Sequence, residues 1–441
     1  MAYDSQTNSL EAQWMPFSDN RGFKRDPRLV VEAKGMYLTD HRGGRIIDGS
    51  SGLFCSPAGH CHPKIIEAVH AQMQRSTYVA PFQLGHPGSF ALAERVARLT
   101  PDPLNHVFFV NSGSEAVDTA MKIAMAWHQA RGKPRSRFVS RERAYHGVNI
   151  GGVSLAGMVR NRDIYHAVVP NVVMLRHTWD AENLFILGGR AQQGGVALAN
   201  DLQRFCDTYG GQNIAAVFVE PVAGSTGVLP PPVVYLERLR EICDAHGILL
   251  VFDEVICGFG RLGANFGAQA YGVVPDIMTM AKALTNGSIP MGAVAVRDEI
   301  YEAVTGAAPE GAIELFHGYT YSGHPAACAA GLAMMDIIAE EALFDRARDL
   351  IPVFQDAVTS LRDHPLVRDI RVAGLLAGVE LHALGAPGKR GNALQAASFW
   401  NGVHVKFTGD TAIVAPQFVA TPAEVAEIVG RLRDSFDKAP V

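Results

Sequence analysis

The chain has 441 residues, 48% of them hydrophobic, and its 39 basic and 44 acidic residues give a formal net charge of -5. These charges are mixed along the chain without a basic face, which excludes nucleic acid as the main partner. No apolar run reaches the roughly 18 residues that a membrane span needs, and the polar N-terminus lacks the order of a signal peptide, so we expect a cytoplasmic protein without membrane association. The six cysteines stand at long spacings without a C-x-x-C pair, which favours reduced thiols over disulfides or a zinc site.

The first predicted element is a hairpin in "VVEAKGMYLTDHRGGRIID", with its turn at "DHRGG". We expect it to pack with the C-terminal part of the chain. "GHCHP" follows and offers His60, Cys61 and His62 as metal ligands. Alternate residues of an extended chain point to opposite sides, so only the two histidines could converge, and no third ligand is evident. A helix that begins at Pro63 explains this stretch better, and we expect no metal.

From about residue 105 to 300, short apolar runs alternate with amphipathic stretches, as in a sheet of mostly parallel strands covered by helices. The predicted strands cover residues 106–110, 137–140, 214–220, 248–254, 277–281 and 293–296, and the predicted helices include 115–131 and 233–246. Catalytic groups in such α/β sheets collect beyond the carboxyl ends of the strands.

After about residue 325 the composition changes to an alanine-rich helix, a second amphipathic helix, short strands around 366–381 and 403–415, and a closing helix at 422–436. This order indicates a smaller α+β domain. We therefore predict an N-terminal segment (1–60) that packs with the small domain, a large domain (61–325) and a small C-terminal domain (326–441).

The turn "NSGSEA" (111–116) joins a predicted buried strand to a helix. Ser112 and Glu115 have capping-box spacing, which is a common structural feature by itself. The glycine and the free amide groups at the helix N-terminus also suit a bound phosphate. On this motif alone, a plain cap and a phosphate site are equally good interpretations.

Two charged residues stand where buried strands end. Asp253 closes "LLVFD", where an ionised carboxylate needs a cationic partner such as a protonated pyridine nitrogen. Lys282 follows "DIMTMA", and a desolvated lysine loses part of its preference for the ammonium form and becomes a nucleophile. We predict that both side chains lie at the same edge of adjacent strands. A turn-capping aspartate and a surface lysine are the structural alternatives.

Phosphate turn, aspartate and lysine in this order are the parts of a pyridoxal phosphate site. The segments "NSGSEAVDTAMKIA", "YHGVNIGG", "VFVEPVAGSTGVLPPP", "LLVFDEVICGFGRLG", "MTMAKALTNGSIPMGAV" and "HGYTYSGHPAACAAGLA" resemble, in order and spacing, the class III aminotransferases. The likeness covers nearly the whole chain and is strongest to the ω-amino acid:pyruvate (β-alanine:pyruvate) aminotransferases. It implies the α/β fold type I of aspartate aminotransferase, with a large domain and a smaller α+β domain.

The resemblance implies roles for named residues. Pyridoxal 5'-phosphate would be bound by Ser112, Gly113, Ser114, Tyr145, His146, Glu220, Asp253, Val255, Lys282 and Thr320. Lys282 would carry the cofactor on its amine and shuttle the proton, Asp253 would pair with the pyridine nitrogen, and Tyr145 would stack on the ring. Thr320 would reach the phosphate from a second subunit, which implies a homodimer with shared active sites, or a tetramer of such dimers.

Substrates implied by the likeness are an amine donor and a keto-acid acceptor, bound near Phe54, Ser56, Phe82, Ala223 and Lys406. Lys406 departs from the family, which usually carries a carboxylate-binding arginine there. An ammonium is a point charge, whereas a guanidinium grips carboxylate with a fork. The stretch 54–56 also departs, since the family more often has a tryptophan-containing sequence. We therefore expect a terminal amine as donor and pyruvate as acceptor, with a preferred donor that need not be β-alanine.

Other functions compete with this one. A decarboxylase, aminomutase or racemase on the same fold would share the lysine, the aspartate and the phosphate turn. "GFGRLG" (258–263) matches a dinucleotide-binding pattern and would indicate a nicotinamide-dependent dehydrogenase. That interpretation is weak, because several residues separate the strand from the glycines and no clear helix follows. A non-catalytic regulator would require loss of Lys282.

Overall fold

In the computed structural model, which describes residues 10–165 and 169–439, the chain forms three sheets covered by helices. The strands are β1 (Val30–Lys34), β2 (Tyr37–Asp40), β3 (Arg45–Asp48), β4 (His106–Val110), β5 (Arg137–Arg141), β6 (Val172–Leu175), β7 (Ile214–Val219), β8 (Leu249–Asp253), β9 (Ile277–Met280), β10 (Gly292–Val296), β11 (Val367–Val372), β12 (Ala377–Leu381), β13 (Val403–His404), β14 (Lys406–Thr408) and β15 (Thr411–Val414).

The helices are α1 (Asn20–Arg25), α2 (Ser51–Phe54), α3 (Pro63–Arg75), α4 (Pro87–Ala97), α5 (Gly113–Ala130), α6 (Ile150–Leu155), α7 (Val159–Arg162), α8 (Gly195–Tyr209), α9 (Tyr235–His246), α10 (Gly267–Tyr271), α11 (Asp298–Gly306), α12 (Pro325–Glu340), α13 (Leu343–Thr359), α14 (Lys389–Trp400) and α15 (Pro422–Asp437). One-turn 3₁₀ helices cover Gly211–Asn213 and Lys282–Thr285. The helix predicted to begin at Pro63 is confirmed.

The central sheet has seven strands in the order β4-β10-β9-β8-β7-β5-β6. Six run in one direction, and β10 is antiparallel to both of its neighbours. Every residue of β7, β8 and β9 is buried, because apolar side chains cover both faces of a central parallel strand. All six predicted strands are present. The sequence patterns missed β6 and α8.

The predicted N-terminal hairpin is also confirmed. β2 and β3 are antiparallel across the "DHRGG" turn, and β1 adds a further strand that the sequence analysis did not separate. The fourth strand of this sheet is β13, which pairs in parallel with β3. The hairpin is therefore attached to the C-terminal part of the chain, as expected.

A second four-stranded sheet has the order β11-β12-β15-β14 with antiparallel pairs throughout. It lies within the predicted small domain, together with α13, α14 and α15. The seven-stranded sheet lies within the predicted large domain. The domain boundaries themselves remain a prediction, and residues 1–9, 166–168, 440 and 441 lie outside the described part of the chain.

All six cysteines are free thiols, and Cys206, Cys243, Cys257 and Cys328 are buried. None of the helices in the described ranges is long and apolar enough to cross a bilayer. Nor do three His, Cys, Asp or Glu side chains of residues 10–165 and 169–439 gather as a metal site would require. The two histidines of "GHCHP" diverge, since His60 contacts Asp48 at 2.7 Å and His62 contacts Glu341 at 3.0 Å.

Candidate active site

Lys282 and Asp253 lie at the same edge of neighbouring strands, as predicted. Asp253 is the last residue of β8 and pairs in register with Thr279 of the parallel strand β9. Lys282 follows the end of β9 by two residues and opens a 3₁₀ turn with a φ of +49°. A positive φ is uncommon for a residue other than glycine and is often found at functional sites.

Both residues line a cavity of about 550 Å³ at the carboxyl ends of the strands. The side chains and backbone around it come from distant parts of the chain: Phe17, Leu53, Phe54, Gly113, Ser114, Tyr145, His146, Gly147, Met158, Arg160, Asn161, Glu220, Val222, Ser225, Asp253, Val255, Ile256, Cys257, Ala281, Lys282, Lys406, Phe407, Thr408, Gly409 and Ile413. Its size suits a cofactor together with a small substrate.

The amine of Lys282 is in an unusual environment. No ion pair or hydrogen bond holds it within the described ranges, and its Nζ lies 5.2 Å from the centre of the Phe54 ring. Burial lowers the pKa of Lys282, because the charged ammonium is poorly solvated there. The shift is towards the neutral amine, which is the nucleophilic form.

Asp253 is held by two contacts. Its Oδ2 accepts a hydrogen bond of 2.8 Å from His146 Nδ1, and its Oδ1 accepts the backbone N–H of Val255 at 3.1 Å. The other ring nitrogen of His146, Nε2, is buried without a partner in the structure. A carboxylate has about four acceptor positions, so Asp253 can accept a further proton donor from the cavity.

Glu220 lies close to this pair. Its Oε1 accepts the backbone N–H of Tyr145 at 3.1 Å, which positions the segment that carries Tyr145 and His146. Burial raises the pKa of Glu220 to about 7, and the charge of Asp253 adds to the rise. Burial also raises the pKa of Tyr145, so its phenol keeps its proton at neutral pH.

The N-terminus of α5 combines both features that "NSGSEA" predicts, a helix cap and amide groups that face the cavity. Ser112 accepts the N–H of Glu115 at 3.2 Å, and the Glu115 carboxylate accepts the N–H of Asn111 at 2.7 Å, so Ser112 serves as a cap. Gly113 and Ser114 line the cavity, and the first amide groups of a helix have no partner within it. A Cβ on Gly113 would lie 3.0 Å from Val255 Cγ1, so this approach favours glycine. Cap and anion site are therefore compatible.

Only some of the residues predicted to bind substrate line the cavity. Phe54 and Lys406 line the cavity, and burial lowers the pKa of Lys406. Ser56 and Ala223 are buried but do not line it. Phe82 is 60% exposed on the surface and does not line the cavity of the single chain. Thr320 is also exposed outside it, and its carbonyl accepts a hydrogen bond of 3.0 Å from Tyr78.

Sequence reasoning missed several cavity residues. Met158, Arg160 and Asn161 come from the region of α7, Ser225 from the turn after β7, and Thr408 from the end of β14. These residues lie in short or irregular segments without a motif. Arg160 could have been suspected only as a cation in a segment that follows the "YHGVNIGG" motif.

"GFGRLG" has a packing role rather than a dinucleotide-binding one. A Cβ on Gly260 would lie 2.6 Å from Phe344 and 2.8 Å from Phe418, and one on Gly258 would lie 2.9 Å from the Glu254 carbonyl. The helix that follows, α10, has only five residues. The motif therefore gives no support to a nicotinamide-dependent dehydrogenase.

A lysine amine with a lowered pKa, a carboxylate able to hold a pyridinium proton and a helix N-terminus open to an anion fit the three chemical groups of pyridoxal 5'-phosphate. Together with a mostly parallel seven-stranded sheet, they define a fold type I pyridoxal phosphate enzyme. The family described as aminotransferase class-III matches residues 20–436. The chain belongs to the class III aminotransferases.

Characterised relatives cover nearly the whole chain. It is 47% identical to an omega-aminotransferase of Caulobacter vibrioides over 98% of each chain, and 47% identical to a beta-alanine–pyruvate aminotransferase of Pseudomonas aeruginosa over 98% of this chain and 96% of that protein. Among solved structures, the omega transaminase of Pseudomonas jessenii in complex with PMP superposes with a TM-score of 0.91, at 32% identity over 98% of each chain.

Proposed function

We propose that the protein is an ω-aminotransferase that moves a terminal amino group from an amine or ω-amino acid to pyruvate in two half-reactions. One observation carries this proposal: the cavity that Lys282 lines is also lined by two further cations, the half-buried Lys406 and the exposed Arg160. Additional positive charge in this cavity suits a substrate that carries a carboxylate besides its reacting nitrogen. The names of the relatives at 47% identity point the same way.

Bound pyridoxal phosphate supplies an electron-withdrawing ring that stabilises negative charge on the substrate carbon. The chain's own part follows from its contacts. Asp253, oriented by His146, would hold a proton at the ring nitrogen, and Lys282 Nζ would take and return the proton of the substrate carbon. Gly113 and Ser114 would offer amides to the phosphate. Tyr145 and Phe54 line the same cavity and would exclude water from it.

We also propose a homodimer with shared active sites, working in the cytoplasm. Four large aromatic side chains, Phe82, Phe90, Phe316 and Tyr321, are exposed by 58 to 87%, which is unusual for a free monomer. The segments that carry them approach each other, since a Cβ on Gly318 would lie 3.0 Å from Phe82, and we call these four residues the aromatic patch. Thr320 precedes Tyr321 in the chain. A second copy that covers the patch would bring Thr320 towards the partner's cavity. The free thiols agree with a reducing compartment.

The test is a donor screen on the holoenzyme with pyruvate, measuring alanine, the carbonyl product and CO₂. β-Alanine, 4-aminobutyrate and 1-aminobutane are compared at matched concentrations, with Lys282→Ala as the inactive control. We expect alanine and carbonyl product in equal amounts, and no CO₂ with 4-aminobutyrate as donor; CO₂ is not scored with β-alanine, because its 3-oxo acid product loses CO₂ by itself. Release of CO₂ from 4-aminobutyrate, or racemisation of added L-alanine without transamination, would assign the chain to the decarboxylases or racemases instead.

The same screen on Lys406→Arg tests the departure from the family. A guanidinium holds carboxylate more directionally than an ammonium, so we expect the variant to favour β-alanine over 1-aminobutane about tenfold more than wild type does. An unchanged preference would show that residue 406 does not contact the donor's carboxylate.

A further inference from the structure

Two cations besides Lys282 line the cavity. Lys406 is on β14 and half-buried, and Arg160 is on α7 and exposed. The carboxylates in the lining, Glu220 and Asp253, are buried and already have partners, since Glu220 accepts the N–H of Tyr145 and Asp253 contacts His146. The more exposed part of the lining therefore carries positive charge and can accept an anion.

The Arg160 guanidinium is little used by the protein itself. Its Nη2 donates to the Pro387 carbonyl over a long 3.4 Å, and Arg160 forms no ion pair in the described part of the chain. The nearby carboxylate of Asp410 is occupied, since it accepts the N–H groups of Gly388 at 2.8 Å and Gly391 at 3.0 Å. Most of the five N–H donors of the Arg160 fork remain available to a ligand.

Lys406, in contrast to the exposed Arg160, is half-buried and held in place by its backbone. Its backbone N–H donates to Ser50 Oγ at 2.9 Å, which fixes the start of β14, while its side chain is only half-exposed. Burial lowers the pKa of Lys406, which weakens its hold on the proton. A single ammonium in this position attracts a carboxylate without orienting it. An oriented carboxylate needs a second, directional donor.

We propose that Arg160 is a specificity-determining residue, which supplies the directional half of a two-cation clamp on the substrate carboxylate while Lys406 supplies the other half. This inference rests on the proposed ω-aminotransferase function. The substrates concerned are amines and carbonyl acceptors that carry a carboxylate. The guanidinium of this clamp is thus on α7, while β14 contributes an ammonium.

The kinetic test compares 4-aminobutyrate with 1-aminobutane, which has the same carbon chain without the carboxylate. In Arg160→Ala we expect kcat/KM for 4-aminobutyrate to fall about tenfold, mainly through KM, and for 1-aminobutane to change less than about twofold. Arg160→Lys should be intermediate. Arg162→Ala is the matched control, because Arg162 is on the same helix but does not line the cavity. A second comparison starts from the aminated enzyme and measures kcat/KM for pyruvate and for propanal, which has no carboxylate. It shows whether the clamp holds the carboxylate of the acceptor, of the donor or of both.

A binding measurement separates this inference from the proposed function. Butanoate is an unreactive carboxylate, and calorimetric titration of the holoenzyme should give about tenfold weaker affinity in Arg160→Ala than in wild type or Arg162→Ala. If wild type converts neither amine, the proposed function fails while the titration still decides the role of Arg160. Equal butanoate affinity in all three proteins, no binding by wild type, or an equal loss of activity with both amines would overturn the inference.

Discussion

Lys282 shows at the scale of a single residue how function and stability oppose each other. Lys282 is largely shielded from water, has no ion pair within residues 10–165 and 169–439, and has a positive φ. These features cost free energy in the folded state. We expect Lys282→Met to abolish transamination and to raise the Tm of the cofactor-free protein. Activity with 1-aminobutane and a thermal scan check the two effects, and substantial turnover by the variant would contradict the assigned role.

Glu220 predicts a dependence of stability on pH. Its pKa is raised from 4.5 to about 7, so the folded chain holds this proton more tightly than the unfolded chain does. Its contribution to stability is therefore lost as pH rises from about 4.5 to about 7. Glu220→Gln imitates the protonated acid and keeps an acceptor for Tyr145. We expect the Tm of the cofactor-free variant to match that of wild type near pH 5 and to exceed it near pH 8. The gain in the free energy of unfolding at pH 8 should be at most about 3 kcal/mol.

Glu254 provides the control for this prediction. Burial raises its pKa to about 7 as well, but both of its oxygens accept backbone N–H groups, from Gly267 at 2.8 Å and Ala268 at 2.7 Å. Glu254→Gln would turn an NH₂ towards one of these donors. We expect it to lower the Tm at both pH values. If Glu220→Gln also lowers the Tm at both pH values, the proton on Glu220 is not the cause of the pH dependence of stability.

At the scale of elements, the junction between β4 and α5 depends on a close approach. A Cβ on Gly113 would lie 3.0 and 3.1 Å from the two methyl groups of Val255 and 3.7 Å from the Cβ of Ala281. In Gly113→Ala we expect Val255 to move into the cavity and the affinity for pyridoxal phosphate to fall about tenfold, as measured by titration of the cofactor's absorbance. Gly430→Ala is the control, since a Cβ there meets nothing within 4 Å and alanine favours a helix.

Elements with strong periodicity were predictable, and those defined by tertiary contacts were not. The strands β7 to β9 are buried at every position and apolar except at Asp253 and Thr279, so their type and the positions of Asp253 and Lys282 followed from the sequence. β6 is a four-residue strand at the sheet edge with no buried residue before Leu175, and its pattern was too weak. The contact of His146 with Asp253 joins residues 107 apart, which no local pattern encodes.

At the scale of the whole molecule, the exposed aromatic patch and Thr320 lead to a prediction about assembly. In a mixed dimer of Lys282→Ala and Thr320→Ala chains, both lesions fall in one site if Thr320 serves the partner's cavity. The other site is then intact, and we expect about half of the wild-type activity. Homodimers of Thr320→Ala should retain cofactor more weakly. If Thr320 serves the site of its own chain, the mixed dimer has one inactive site and one Thr320→Ala site. Activity no higher than half that of the Thr320→Ala homodimer would therefore contradict the shared site.

The pairing of β3 with β13 has a consequence for how the chain matures. Lys406 bonds to Ser50 across 356 residues, and Ser51 bonds to the Ala415 carbonyl across 364. During synthesis, the sheet of the N-terminal hairpin cannot be completed until β13, at residues 403 and 404, has left the ribosome. Because Phe54 and Lys406 follow these two segments, the part of the cavity that they line can form only after residue 406 has been made, when all strands of the sheet that carries Lys282 and Asp253 are already present in the nascent chain.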